Sequence, residues 1–559
     1  MRYWMLAVLI WPVLSARVTA SEAVVFNVRA HGAAGDGQTL DTDAINRAID
    51  AAASAGGGTV HFPAGRYLSF SIHLKSHITL HLDSGAVIVA ADPADGRGQY
   101  DLPEANEWDP YQDFGHSHWQ NSLIWGIGLE DVAIVGHGLI DGRGLVRHGP
   151  GPRRPAQAGD APTTLGSDDN ASKALAAEHP PAGPAATSTP PPGQPRRGPL
   201  DMNGQGNKSI ALKLCRNVTL RDFRILSGGH FALLATGVDN LTIDNLLIDT
   251  NRDGLDLDGC RNVRLSNLAI NSPNDDAIVL KSSFALGALR PTENVTITNC
   301  HVSGYDLGTL FDGTFGRTQQ LAPDRDGVTG RIKIGTESNG DFRNITISNC
   351  TFDRCRGLAL ETVDGGTIEN VTAKNLVMRE IVTAPLFIRL GNRGRGPGTP
   401  TPGAVRHVSI SNVQVVDADP RYASSIAGLP GHDIQDVNLS DIHILYRGGG
   451  TREDAAREPA EMEQSYPEPS MFGTLPAYGL FARHVKGLRV HNVDFAFTAP
   501  DARPPVVLSD AQDVALDRVK AARGADVPFL RARRVTDLTL RACPGVRDAQ
   551  GVAAPDSSF

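Results

Sequence analysis

Apolar residues fall at every second position in short bursts along this chain, and the bursts themselves repeat. Asn217-Val218-Thr219-Leu220 returns as Asn240-Leu241-Thr242-Ile243 and Asn262-Val263-Arg264-Leu265. It returns again as Asn294-Val295-Thr296-Ile297, Asn344-Ile345-Thr346-Ile347 and Asn370-Val371-Thr372-Ala373, with weaker copies at Ile78, Val132, Val408, Val437, Leu488, Val514 and Leu538. A second small polar residue follows each leading Asn by five positions: Asp222, Asn245, Asn267, Asn299, Asn349 and Asn375. A period of two is that of a half-buried strand. The first copies lie 23 and 22 residues apart with no helical pattern between them, which excludes βαβ units. Short strands with Asn at fixed corners predict an all-β, right-handed, single-stranded parallel β-helix. Stacked Asn side chains would hydrogen-bond along its axis and satisfy the bends. A β-sandwich would not repeat an Asn register so regularly.

A stack of open coils needs capped ends. Residues 41–55 carry Ala44, Ile45, Ala48, Ile49 and Ala52 on one helical face and end at Gly56-Gly57-Gly58, predicting an N-terminal capping helix. Residues 1–20 read as a signal peptide: Arg2, an apolar run over 5–14, and small residues at Val18-Thr19-Ala20. Residues 21–559 then form the β-helix domain, exported to the periplasm or medium, with no membrane contact once the signal is removed. Residues 149–200, crowded with Pro, Ala and Gly, predict a disordered insertion. A net charge of -9 with no basic stripe argues against nucleic acid. Six cysteines without zinc-type pairs read as buried thiols. Long side loops on a β-helix predict a monomer.

Used as a ruler, the repeat lines up candidate chemistry. Thirteen residues past successive Asn residues stand His230, Asp253 and Asp275, and twelve past Asn294 stands Asp306. Asp256 and Asp276 lie close to that register. Coils about 4.8 Å apart would gather these acids in one groove, where repulsion and burial separate their pKa values as acid/base chemistry needs. A solvated acidic corner or a calcium site is the blander alternative. Lys281, close behind in sequence, would favour the ionised forms. Trp108, Trp119 and Trp125, interleaved with Tyr111, His116 and His118, could wall the groove with aromatic faces, although Trp125 reads better as packing between coils. The pair His116 and His118 is a weak metal signal.

Asn251-Arg252-Asp253-Gly254-Leu255-Asp256 and Asn274-Asp275-Asp276-Ala277-Ile278-Val279-Leu280-Lys281-Ser282 resemble the paired signature of glycoside hydrolase family 28, the polygalacturonases and rhamnogalacturonan hydrolases. Phe26-Asn27-Val28, Gly35-Asp36-Gly37 and Gly56-Gly57-Gly58-Thr59-Val60 resemble the N-terminal cap of pectin-lyase-like proteins. The resemblance implies metal-free, cofactor-free inverting hydrolysis of a pectin-type polysaccharide or oligosaccharide. It implies Asp275 as general acid, Asp253 and Asp276 sharing the base role, and Asp256 as a substrate contact. Two family motifs depart. Gly304-Tyr305-Asp306 stands for Gly-His-Gly, making Tyr305 and Asp306 candidate sugar contacts. Arg-Ile-Lys is expected to align with Ala359-Leu360-Glu361, since Arg331-Ile332-Lys333 precedes Asn344 and reads as a coil too early. Arg389 and Arg393 are then the replacement site for a sugar carboxylate, and His230 a hydroxyl contact. These departures suggest exo-acting or rhamnogalacturonan-type specificity. A β-helix lyase, which needs calcium and a basic residue, is disfavoured by the absence of Arg or Lys from the counted acid row. A non-catalytic carbohydrate-binding β-helix is the third reading.

Overall fold

The computed structural model describes residues 24–147, 202–398 and 400–559; the signal-peptide stretch and the insertion at 149–200 lie outside them. The described chain winds as a parallel β-helix. Leu233 pairs with Leu255, Leu255 with Ile278 and Ile278 with Ile332, so one strand per coil stacks on the next in register. Two further strand rows repeat the pattern, as in Val218 with Leu241 and Ile225 with Ile248. Alternation puts Leu255, Leu257, Ile278, Leu280, Ile332 and Ile334 inside, all fully buried in one continuous aliphatic core.

The corners explain the Asn repeat. Asn217, Asn240, Asn262, Asn294, Asn344 and Asn370 sit at φ near 55–57°, the left-handed region that Asn tolerates better than most residues. The Asn217 amide donates to Asp131 at 2.8 Å, and each later one donates to the Asn one coil earlier, at 2.9 Å for Asn240 to Asn217, 3.2 Å for Asn262 to Asn240 and 3.1 Å for Asn294 to Asn262. A second ladder links Asn299 to Asn267 and Asn349 to Asn299. The helix Thr42–Ser54 buries the predicted Ala44, Ile45, Ala48, Ile49 and Ala52 over the first coils. At the other end Ala549–Ser558 folds back antiparallel on Leu530–Arg541 and covers the last edge. All six cysteines are buried free thiols. No helix among the described residues is long and apolar enough to cross a membrane.

Two segments leave the stack and cross its outer face. Residues 92–123 pack Trp119 against Ala211, Phe231 and Leu234, and residues 449–479 return across earlier coils to bring Tyr466 and Glu468 beside Arg331 and Lys333.

Candidate active site

Asp253 opens the strand Asp253–Asp258, and Asp275 and Asp276 end the turn before Ile278–Ser282 on the following coil. The Gly254 N–H donates to the Asp276 carbonyl at 3.0 Å, holding the two coils in step. One oxygen from each of Asp253, Asp275 and Asp276 lies within 4.8 Å of the others. Carboxylates this close cannot all hold a negative charge. Burial pushes Asp253 well above the usual carboxylate range, and the neighbouring Asp275 pushes it further. Burial opposes the charge of Asp276 too, yet Lys333 and Arg331 outweigh it and hold Asp276 at about 2. Arg331 Nε donates to Asp276 Oδ1 at 2.9 Å, and Lys333 Nζ lies 3.3 Å from Oδ2. Asp275 is the most open of the three, its side chain one quarter exposed, and Arg252 grips it at 2.5 Å. Oδ1 of buried Asp253 has no hydrogen-bond partner among the described residues.

Arg331-Ile332-Lys333 is therefore the motif that meets the acids, contrary to the alignment that passed it over. Val279 pairs with Lys333 directly. The coil carries a long excursion between Ser303 and Ile332, so the position counted from Asn294 lands at the root of that loop while the register position passes to Arg331. Arg and Lys do line the acid row, and the premise used against a lyase fails. Lys333 nonetheless makes a poor base: against the pull of burial, Asp276 and Glu361 hold its pKa well above the usual lysine value.

Other expected contacts move as well. Asp306 caps its loop through the Thr318 and Gln319 N–H groups, both at 2.8 Å. Tyr305 is buried, donating to Asp353 at 2.5 Å. Neither is brought to the acids by any of these bonds. Arg389 is buried and spends its guanidinium on the carbonyls of Ala427, Gly428, Glu461 and Met462, which removes it as a carboxylate clamp. Arg393 is held by Asp364 and lies 3.6 Å from Glu337. Glu361 is wholly buried beneath the cations, 3.6 Å from Lys333 and 3.9 Å from Arg331, and burial raises it to about 7. It is a neighbour of the clamp rather than a substitute for its lysine.

Asp256 is also wholly buried. Its Oδ2 meets His116 Nε2 at 2.9 Å and Lys281 Nζ at 3.4 Å, so it positions groups behind the acids instead of facing sugar. Lys281 reaches on to Glu337 at 2.9 Å. His116 comes from the crossing segment 92–123. A Cβ on Gly115 would stand 2.3 Å from the Phe231 ring, so the glycine is what lets this segment lie close enough. His118 turns the other way, to Asp109 at 2.9 Å. His230 rests its Nδ1 on the Arg147 carbonyl at 2.8 Å, and burial holds it neutral. Trp119 is buried with Nε1 on Thr236, and Trp125 packs on His73 with Nε1 on Asp101; Trp108 is half-buried edge-on to Phe284.

His116 was expected only as part of the aromatic segment that could wall the groove, and sequence reasoning missed Arg331, Lys333, Glu337, Tyr466 and Glu468. Glu468 accepts from both terminal nitrogens of Arg331 and lies 2.9 Å from Arg356. Tyr466 leaves half its surface exposed, while its hydroxyl accepts from Lys333 at 3.3 Å and from Thr336 at 3.0 Å. Only the Arg-Ile-Lys spelling offered a signal for any of them.

The family described as rhamnogalacturonase A/epimerase, pectate lyase-like, matches residues 25–114. An exo-poly-alpha-D-galacturonosidase of Dickeya chrysanthemi is 27% identical over 299 residues, covering 50% of this chain and 46% of that protein. Over about half of its length the chain is thus similar to that exo-acting enzyme. A probable polygalacturonase of Vitis vinifera is 34% identical over 140 residues, 23% of this chain and 26% of that one. The chain thus spans less than half the length of these curated relatives. The family 28 exopolygalacturonase structure from Yersinia enterocolitica superposes with a TM-score of 0.54 at 18% identity, covering 95% of this chain and 80% of the other; it shares the fold.

Proposed function

We propose that this chain is an exported glycoside hydrolase that cleaves α-linked galacturonate-containing chains from an end, by metal-free inverting acid/base hydrolysis. The observation that carries the reading is the carboxylate trio split by its surroundings, one member held protonated by burial and one held ionised by Arg331 and Lys333. Burial keeps a proton on Asp253, whose carboxyl lies beside Asp275. Asp275, the more open, presents a proton to the glycosidic oxygen as the C1–O bond breaks. Asp276 takes a proton from the water whose oxygen bonds to C1. Both Asp276 oxygens are engaged by cations, which makes it a weak nucleophile; inversion rests on the resemblance to family 28, since carboxyls about 5 Å apart otherwise favour a covalent, retaining course. Galacturonate as the sugar rests on the similarity to the exo-poly-alpha-D-galacturonosidase.

Attack at chain ends is supported by the crossing segment 92–123 meeting a loop of a later coil: Arg395, on the loop after Leu386–Leu390, lies 3.4 Å from Asp113. The test is a product assay on homogalacturonan and rhamnogalacturonan oligomers with chelator present. Saturated sugars released one or two units at a time support the proposal. Unsaturated products would move the protein to the lyases, and no product with tight glycan binding would leave a binding role.

A further inference from the structure

Outside the acid cluster, two coils near the capping helix bring nitrogen and oxygen ligands together. The strands Gly58–Phe62 and Ile78–Leu82 run parallel with His61 directly opposite His81. Val60, Phe62, Leu80 and Leu82 are fully buried on the inner side, so both imidazoles stand outward on a rigid backbone. Asp83 follows at once, its N–H fixed by the Phe62 carbonyl at 3.0 Å. Its two carboxylate oxygens face one histidine each: Oδ2 lies 2.8 Å from His61 Nε2, and Oδ1 lies 3.5 Å from His81 Nδ1. The rings stack with centroids 5.7 Å apart and 25° between planes. One ligand atom from each of the three residues lies within 4.8 Å of the others, and all three side chains are half-buried.

We infer that His61, His81 and Asp83 form a site for a divalent transition-metal ion, of the zinc class, that clips two successive coils together. A tetrahedral ion about 2.0–2.2 Å from each ligand needs ligand atoms roughly 3.3–3.5 Å apart. The separations of 2.8 and 3.5 Å to Asp83, with all three ligand atoms within 4.8 Å of one another, leave the set within about 1.5 Å of that spacing, a shift that side-chain rotation supplies. Two imidazoles and one carboxylate select zinc, copper or nickel over calcium or magnesium, which prefer all-oxygen shells. The three protein ligands leave a fourth position for water. The site is independent of the hydrolase reading.

The test titrates the chelator-stripped full chain with Zn2+ by calorimetry, and with Co2+ by its visible absorption in a tetrahedral field. One saturating ion per chain is expected, with a cobalt spectrum of tetrahedral intensity. His81→Gln and Asp83→Asn should each weaken binding by about tenfold or more, with circular dichroism unchanged, while Asp275→Asn binds as wild type. No saturable binding, wild-type binding by the His81→Gln/Asp83→Asn double variant, or loss of the ion in Asp275→Asn would each overturn the site.

Discussion

At the scale of residues, the site depends on how unequal surroundings divide charge among near-identical carboxylates. Asp275→Asn keeps volume but removes the proposed proton donor, and turnover should fall by about 10²–10⁴ with the melting temperature little changed. Glu361 gives a pH signature of stability. Its folded pKa is raised to about 7, so its contribution is complete below the unfolded carboxylate value and lost as pH rises through about 7. Glu361→Gln should therefore flatten the decline in unfolding midpoint between about pH 5 and pH 8, an effect of order 1–3 kcal/mol. Asp276 runs opposite: lowered to about 2, it stabilises above the usual carboxylate value and fails only as pH drops through about 2. The trio was legible in sequence because acids one repeat apart must share a face. Its cations were not, because a loop inserted between Ser303 and Ile332 breaks the count that located the acids.

At the scale of elements, corners and crossing segments divide the work. Asn262 donates to Asn240 and accepts from Asn294 at φ 56°. Asn262→Ala should lose about 2 kcal/mol in chemical unfolding, from lost hydrogen bonds plus left-handed strain, while Asn262→Gly recovers the strain part. The ladder was readable since the side chain and the backbone bend favour the same residue. The crossing segment at 449–479 was not readable: nothing in its composition shows where a loop will dock. Glu468 on it balances buried Arg331 and Arg356. Glu468→Ala should cost about 3–5 kcal/mol by leaving buried charge unpaired, measured as a lower unfolding midpoint together with weakened turnover.

At the scale of the whole molecule, a parallel β-helix is a continuous sheet that must be stopped at both ends, here by the helix Thr42–Ser54 and the antiparallel return Ala549–Ser558. Ile49, on the inner face of that helix, is fully buried. Ile49→Asp should uncap the first coils and drive association, seen as a concentration-dependent rise in light scattering. Coil repeat and cap were both visible from periodicity alone, whereas contacts between segments nearly three hundred positions apart, such as Asp113 with Arg395, were not. The central claim is that Asp253, Asp275 and Asp276 act together on a glycosidic bond. Its most direct test is single-turnover cleavage of a defined galacturonate oligomer by wild type and by Asp276→Asn, with folding checked by melting. Saturated product of inverted anomeric configuration is expected from wild type, with a loss of about 10²–10⁴ in the variant. A folded Asp276→Asn that cleaves within about tenfold of wild type would contradict it.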